Sequence, residues 1–125
     1  MPFETIECDV TDKMVCTVWL NRPEKHNAMS EQMIADLNSV AREIRHSNIR
    51  VVILAAHGRS FCAGGDLQWM QDQINATAEE RAAGARALAM MLFEWNTLPQ
   101  PVIGRIHGNA FGGGVGLASI CDVAI

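Results

Sequence analysis

The sequence predicts an α/β domain that alternates strand, helix, strand, helix and strand, with a parallel sheet joined by right-handed crossovers. Three features carry that prediction. Short apolar runs rich in β-branched residues occur at 14–20, 51–56 and 102–106, and their length suits buried strands better than helices. The segments between them place apolar residues at helical spacing. The second and third runs each lead into a glycine-rich turn, as strands do at the carboxyl edge of an open α/β sheet.

Met14 to Leu20 is bounded by Asp12 and by Asn21-Arg22-Pro23, and Thr5 to Val10 supplies an antiparallel partner. Ser30 has the character of a helix N-cap, with Glu31 in the first turn. Met33, Ile34, Leu37, Val40, Ala41 and Ile44 follow on one face, while Arg42, Arg45 and His46 gather at the end where the helix dipole favours cations. Val51 to Ala56 reads as a strand buried on both faces. A loop containing Gly58, Ser60, Gly64 and Gly65 follows, then a short helical segment around Asp66 to Gln71. Thr77 and Glu80 form a capping box for a long helix. Its face carries Leu88, Met91, Leu92 and Trp95, and it ends before Pro99. Val102 to Ile106 is the next strand, Val115 to Ser119 starts a helix, and Cys121 to Ile125 opens one more strand. A parallel strand needs neighbours and covering helices. The expectation is therefore that residues 1–125 are the first part of a larger domain, or are completed by other chains.

Composition narrows the function. The chain has 125 residues, 49% apolar and 19% charged, which suits a globular core and excludes a disordered segment. A net charge of −4 argues against a strongly basic nucleic-acid binder. No apolar stretch approaches the ~20 residues of a membrane-spanning helix. Cys8, Cys16, Cys62 and Cys121 form no C-x-x-C pair and no zinc spacing, so free thiols in a reducing, cytoplasmic setting are expected. The start Met1-Pro2-Phe3-Glu4 lacks the basic and apolar regions of a secretory leader.

Chemical interest falls on two turns, Ser60-Phe-Cys-Ala-Gly-Gly-Asp66 and His107-Gly-Asn-Ala-Phe-Gly-Gly-Gly-Val-Gly-Leu117. Each follows a strand and precedes a helix, where main-chain N–H groups are unpaired and the dipole favours negative charge. Neither matches a phosphate-binding fingerprint. Tight bends with close helix–strand packing would account for both turns. A pair of opposed N–H groups forming an oxyanion hole for a thioester carbonyl is the sharper reading.

Asn21-Arg22-Pro23, Asn27-Ala28-Met29, Phe61-Cys-Ala-Gly-Gly-Asp-Leu67 and Gly108-Asn-Ala-Phe-Gly-Gly-Gly-Val-Gly-Leu117, followed by Cys121-Asp122, stand in one order along nearly the whole chain. Together they resemble the enoyl-CoA hydratase/isomerase (crotonase) superfamily. The resemblance implies the crotonase-like ββα spiral, of which residues 1–125 would be an N-terminal portion, since members are roughly twice this length. It implies an acyl-CoA substrate and no prosthetic group, coenzyme A being part of the substrate. It also implies a homotrimer or a dimer of trimers, with neither nucleic acid nor membrane as partner. By motif position the thioester oxygen would accept N–H bonds from Gly65 and Gly113. Lys25-His26-Asn27-Ala28 would line one wall of the CoA groove, and Ala63, Gly64, Asp66 and Leu67 the other, with Phe111 and Gly112 also at the substrate. Apolar Phe111, Trp69 and Met70 suit an acyl pocket, and core packing accounts for them equally. Each side chain also has a plainer account: Asp66 as a helix N-cap, Lys25 as a solvated surface lysine, and His26 and His107 as loop or packed histidines.

Gly116 departs from the pattern. Hydratases that use two glutamates carry the first at this position, and the second lies beyond Ile125. The activity implied is hydration of an α,β-unsaturated acyl-CoA by a lyase of fatty-acid or amino-acid breakdown. Asp66-Leu67-Gln68-Trp69-Met70 resembles the methylglutaconyl-CoA hydratase-like branch, which takes branched substrates. The alternatives are a Δ3/Δ2-enoyl-CoA isomerase, which needs only one base, and a non-catalytic acyl-CoA-binding subunit.

Overall fold

An antiparallel hairpin begins the sheet. In the computed structural model, which describes residues 3–125, Ile6–Val10 (β1) pairs with Val15–Leu20 (β2). Met1 and Pro2, the first residues of the start read as leaderless, lie outside the described residues. The Thr11 carbonyl accepts the Met14 N–H at 3.0 Å, and Met14 takes a φ of 64° to close the turn. β2 then pairs in parallel with Val51–Ala56 (β3), β3 with Val102–Gly104 (β4), and β4 with Val123–Ala124 (β5). The strand order across the sheet is β1-β2-β3-β4-β5.

Glu31–Arg45 (α1) connects β2 to β3, Leu67–Asn75 (α2) and Ala78–Asn96 (α3) connect β3 to β4, and Gly113–Ser119 (α4) leads to β5. Every parallel step moves in the same direction, so right-handed crossovers carry the helices to one face of the sheet. This corrects the expectation of a doubly buried central strand. Val52 and Leu54 of β3 are fully buried, whereas Val51 and Ile53 on the other face are only partly covered. Covering both faces requires the strand order to reverse, and among the described residues it does not.

Several boundaries also differ from the sequence reading: β1 and β2 begin one residue later, at Ile6 and Val15, and β5 is confined to Val123–Ala124. β4 ends at Gly104, although the Arg105 N–H still reaches the Leu54 carbonyl and the Ile106 N–H the Ile125 carbonyl, both at 2.9 Å. The ladder therefore continues past the regular strand. α2 runs on to Asn75, and α4 starts at Gly113 rather than Val115. Glycine's poor helix propensity hides such a start in the sequence.

The core lies between the sheet and α1 with α3. Met33, Leu37, Val40 and Ala41 of α1 meet Met91 and Trp95 of α3 over Val18, Leu20, Val52 and Leu54. Leu88 and Leu92 are partly buried beside them. The Trp95 indole N–H donates to the Leu37 carbonyl at 2.9 Å, which satisfies the one polar atom that this large side chain brings inside. Ser30 caps α1, accepting the Met33 N–H, and the Thr77–Glu80 capping box opens α3. Arg45, in the last turn of α1, donates to the Glu94 and Thr97 carbonyls at 3.0 Å and closes the end of α3.

The four cysteines are free. Burial pushes the Cys8 and Cys121 thiols up to about 11 and raises Cys16 and Cys62 as well, which keeps them protonated and unreactive. Among the described residues no helix is long and apolar enough to cross a membrane.

Trp95 is the largest fully buried side chain. Trp95→Ala should lower the unfolding free energy by about 3–5 kcal/mol through lost burial and the cavity left behind. A urea titration followed by circular dichroism measures it.

Candidate active site

Three consecutive parallel strands release three segments at their carboxyl ends, and the segments lie side by side. Residues 26–29, after β2, run along residues 63–66, after β3. The Ala63 N–H donates to the His26 carbonyl (3.0 Å), the Met29 N–H to the Gly64 carbonyl (2.7 Å) and the Asp66 N–H to the Met29 carbonyl (2.8 Å). Residues 109–111, after β4, take the other flank. There the Cys62 N–H donates to the Asn109 carbonyl (3.1 Å) and the Phe111 N–H to the Cys62 carbonyl (3.0 Å). Parallel bridges Met29–Gly65 and Cys62–Ala110 summarise this small second ladder.

Gly64 breaks its regularity. Ala63 and Asp66 both donate toward the first segment although they stand three positions apart, whereas a regular strand faces the same neighbour every second residue. The Gly64 φ of 104° absorbs the extra residue. In a trans peptide the carbonyl and N–H point in opposite directions. Because the Gly64 carbonyl is held by Met29, the Gly65 N–H of the same peptide points away from that segment. Among the described residues it has no acceptor.

The second turn makes a matching amide. Gly112 has φ 51° and ψ −119°, and the Gly114 N–H closes on the Phe111 carbonyl at 2.7 Å. This is a type II′ turn, whose first central position favours glycine. The Gly112 carbonyl accepts the Val115 N–H at 3.0 Å, inside the first turn of α4. The N–H of Gly113, the first residue of that helix, therefore points outward and also lacks an acceptor among the described residues. Each exposed amide thus follows a glycine of positive φ.

The two turns touch through main chain. A Cβ on Gly64 would lie 3.2 Å from the Phe111 carbonyl oxygen, and one on Gly112 would lie 3.7 Å from the Gly64 Cα. A Cβ on Gly113 would collide with the Met29 methyl, and one on Gly114 with the Cys62 carbonyl. Met29 thus sits between the turns, bonded to one and packed under the other.

Asp66 is the N-cap of α2, its Oδ1 accepting the Trp69 N–H at 3.0 Å and its Oδ2 facing Arg22 Nη2 at 3.1 Å. The Trp69 N–H, offset in part by burial, and then the Arg22 guanidinium hold its carboxyl below the ordinary value of 3.8. Gly64 and Ala28 are buried, whereas Lys25, His26, Ala63, Leu67, Phe111 and Gly112 are exposed along the same edge. The His26 Nδ1 lies 3.2 Å from Ser60 Oγ, and His107 Nε2 packs on the Gly58 carbonyl. Among the described residues no group of His, Cys, Asp and Glu is arranged to hold a metal. Gly116, on α4, faces Leu92 of α3, and a Cβ there would meet it at an ordinary 3.6 Å. A cavity of about 520 Å³ between α1, α2 and α3 is lined by Ile34, Asn38, Trp69 and Gln73 among others, and by none of the residues read as oxyanion hole or CoA groove.

Two residues organise the site in ways the sequence reading does not assign: it places Asn27 only in the wall segment 25–28 and Arg22 only in its motif. Asn27 is fully buried at φ 56°, its Oδ1 accepting the Arg22 N–H (2.7 Å) and its Nδ2 donating to the His57 (2.7 Å) and Ser60 (3.0 Å) carbonyls. Asparagine tolerates left-handed backbone better than most residues with a Cβ, and that was the signal available. The Arg22 guanidinium donates to the Ala28 carbonyl at 2.6 Å as well as to Asp66.

The enoyl-CoA hydratase/isomerase family model matches residues 11–125. The chain belongs to the enoyl-CoA hydratase/isomerase family. It is 36% identical over 124 residues to YngF of Bacillus subtilis, named for the same family, covering 98% of this chain and 46% of that protein. It is 33% identical to the mitochondrial Δ(3,5)-Δ(2,4)-dienoyl-CoA isomerase of Mus musculus, across 97% of this chain and 40% of the isomerase. The crystal structure of an enoyl-CoA hydratase from Shewanella pealeana superposes with a TM-score of 0.94 at 32% identity, covering 98% of this chain and 46% of that one. A Legionella pneumophila structure described as an enoyl-CoA hydratase/isomerase (crotonase) superposes with a TM-score of 0.92 at 35% identity, over 97% and 47%. The fold is therefore the crotonase fold, and the chain spans about half the length of the curated relatives it matches.

Asp66 sets a pH dependence. A carboxylate whose folded pKa is depressed adds stability that is complete above its unfolded pKa and is lost as pH falls through the folded value. Below pH 3.8 the unfolding free energy of the unsubstituted protein should therefore fall more steeply than that of Asp66→Asn. Parallel denaturant titrations across the acid range measure the difference in slope.

Proposed function

We propose that the Gly65 and Gly113 amides form the oxyanion hole of an enzyme acting on an enoyl-CoA, and that the reaction is hydration of the α,β double bond. The carrying observation is the pair of main-chain N–H groups on touching turns, each turned outward by a positive-φ glycine and each without an internal acceptor. Two such donors, fixed before substrate arrives, stabilise the negative charge that develops on a thioester oxygen as the enolate forms. The Gly113 amide also sits at the positive end of α4.

The exposed edge at Lys25, His26 and Ala63, with Ala28 behind it, is the wall on which the CoA moiety would lie, with Lys25 free to meet a phosphate. Met70 Sδ and the Trp69 ring lie 3.1 and 3.6 Å from where a Gly65 Cβ would be. With exposed Phe111 on the opposite turn they would offer apolar contact to a branched acyl group, in keeping with a methylglutaconyl-like substrate. The residues present span about half of a relative's length and hold glycine at position 116. The proton-transferring carboxylate is accordingly assigned to polypeptide outside residues 1–125. Assembly as a trimer or dimer of trimers, with no prosthetic group, belongs to the same proposal.

Glycine at 116 favours a second reading, a double-bond isomerase in which one base moves a proton between two carbons. Incubating the full-length enzyme with a 2-enoyl-CoA in heavy-oxygen water separates the two. Label in the product supports hydration, and double-bond migration without label supports isomerisation. Neither outcome, with CoA esters still bound, leaves a binding subunit.

Two substitutions test the site in the same full-length enzyme. Gly113→Ala keeps the N–H but adds the Cβ that displaces the Met29 methyl, whereas Gly113→Pro removes the N–H at a helix position that tolerates proline. Proline should lower kcat by about a hundredfold or more relative to alanine. Equal rates in folded variants would remove Gly113 from the mechanism. Gly116→Glu meets only ordinary contact at Leu92, and it should raise hydration relative to isomerisation, read as the ratio of labelled to migrated product.

A further inference from the structure

We propose that Arg22 is a positioning residue for the Gly65 amide, acting through the residues on either side of its peptide. The proposal rests on the acyl-CoA reading above and adds a residue that does not itself contact substrate. Arg22 Nη1 donates to the Ala28 carbonyl (2.6 Å) and Nη2 to Asp66 Oδ2 (3.1 Å). Ala28 immediately precedes Met29, whose N–H holds the Gly64 carbonyl, and Asp66 immediately follows Gly65. One guanidinium thus ties the chain before the Met29 bond to the chain after the exposed amide. The Gly64–Gly65 peptide is held between them and cannot rotate unless one of these contacts breaks.

The guanidinium is itself fixed at its base. The Arg22 N–H donates to Asn27 Oδ1 (2.7 Å), and Asn27 reaches on to the His57 and Ser60 carbonyls of the loop that delivers Gly64 and Gly65. The Arg22 and Asp66 side chains are only 17% and 12% exposed, so water competes little for these bonds. A buried ion pair is weak evidence for added stability, whereas a planar fork serving a carbonyl and a carboxylate at once restricts orientation. Lysine could retain one of the two contacts, and alanine neither.

The test reads orientation apart from folding. A saturated acyl-CoA, carbon-13-labelled at the thioester carbonyl, is bound to the full-length enzyme and examined by difference infrared spectroscopy. In the unsubstituted enzyme two N–H donors should lower the carbonyl frequency. Arg22→Ala should lose part of that lowering and reduce kcat by about ten- to a hundredfold, with KM and acyl-CoA affinity within about threefold. Arg22→Lys should fall between the two. Unshifted carbonyl frequency in the unsubstituted enzyme overturns the oxyanion-hole reading, and this proposal with it. A normal shift there that persists in Arg22→Ala, or a loss expressed only in KM, overturns the positioning role alone. Should Arg22→Ala not fold, Asp66→Asn carries the test, because asparagine still caps α2 while loosening the Arg22 contact. An unchanged carbonyl frequency in that variant overturns the role of Arg22 equally.

Discussion

One hydrogen bond organises the candidate site: the Met29 N–H to the Gly64 carbonyl, at 2.7 Å. A peptide group is rigid, so fixing its oxygen fixes its hydrogen. With the carbonyl committed to the 26–29 segment, the Gly65 N–H has to face away from that segment. Met29 also fills the space below Gly113 where any Cβ would stand. A single residue therefore aims one amide and sets the approach of the other.

This geometry depends on how the sheet grows. The strands add in one direction from β2 to β5, so successive crossovers stack their helices on one face and successive loops leave from the same edge. Three neighbouring loops then run side by side, as the bridges Met29–Gly65 and Cys62–Ala110 show. A sheet that reversed direction would send consecutive loops apart. The cost of this arrangement is a second sheet face that stays partly open at Val51 and Ile53, covered by no helix among the described residues.

The proposed oxyanion hole is built from main chain rather than side chains. Donors supplied by backbone can be kept while side chains vary, provided the glycines remain. Gly64 and Gly112 need positive φ, and Gly113 and Gly114 have neighbours where a side chain would stand. Gly116 has none of these constraints, since its position accepts a Cβ at ordinary distance. Its glycine is therefore not explained by the packing around it. Among the residues of the triplet region it is the one at which side-chain chemistry can change without disturbing the turn.

The amino-acid order alone determined the elements with local causes. The α1 stripe, its Ser30 cap and the Thr77–Glu80 box depend on neighbours within a few positions and stand as read, and the β-branched runs stand as strands with shifted ends. The ordered motifs likewise identified the family, because four short patterns in sequence are specific where one is not. Only the tertiary structure decided the rest. The direction of an N–H depends on which distant segment holds its carbonyl, Arg22 and Asn27 act across dozens of positions, and one-sided burial of β3 follows from strand order. Those are contacts between segments far apart in the chain, and no local pattern of residue types encodes them.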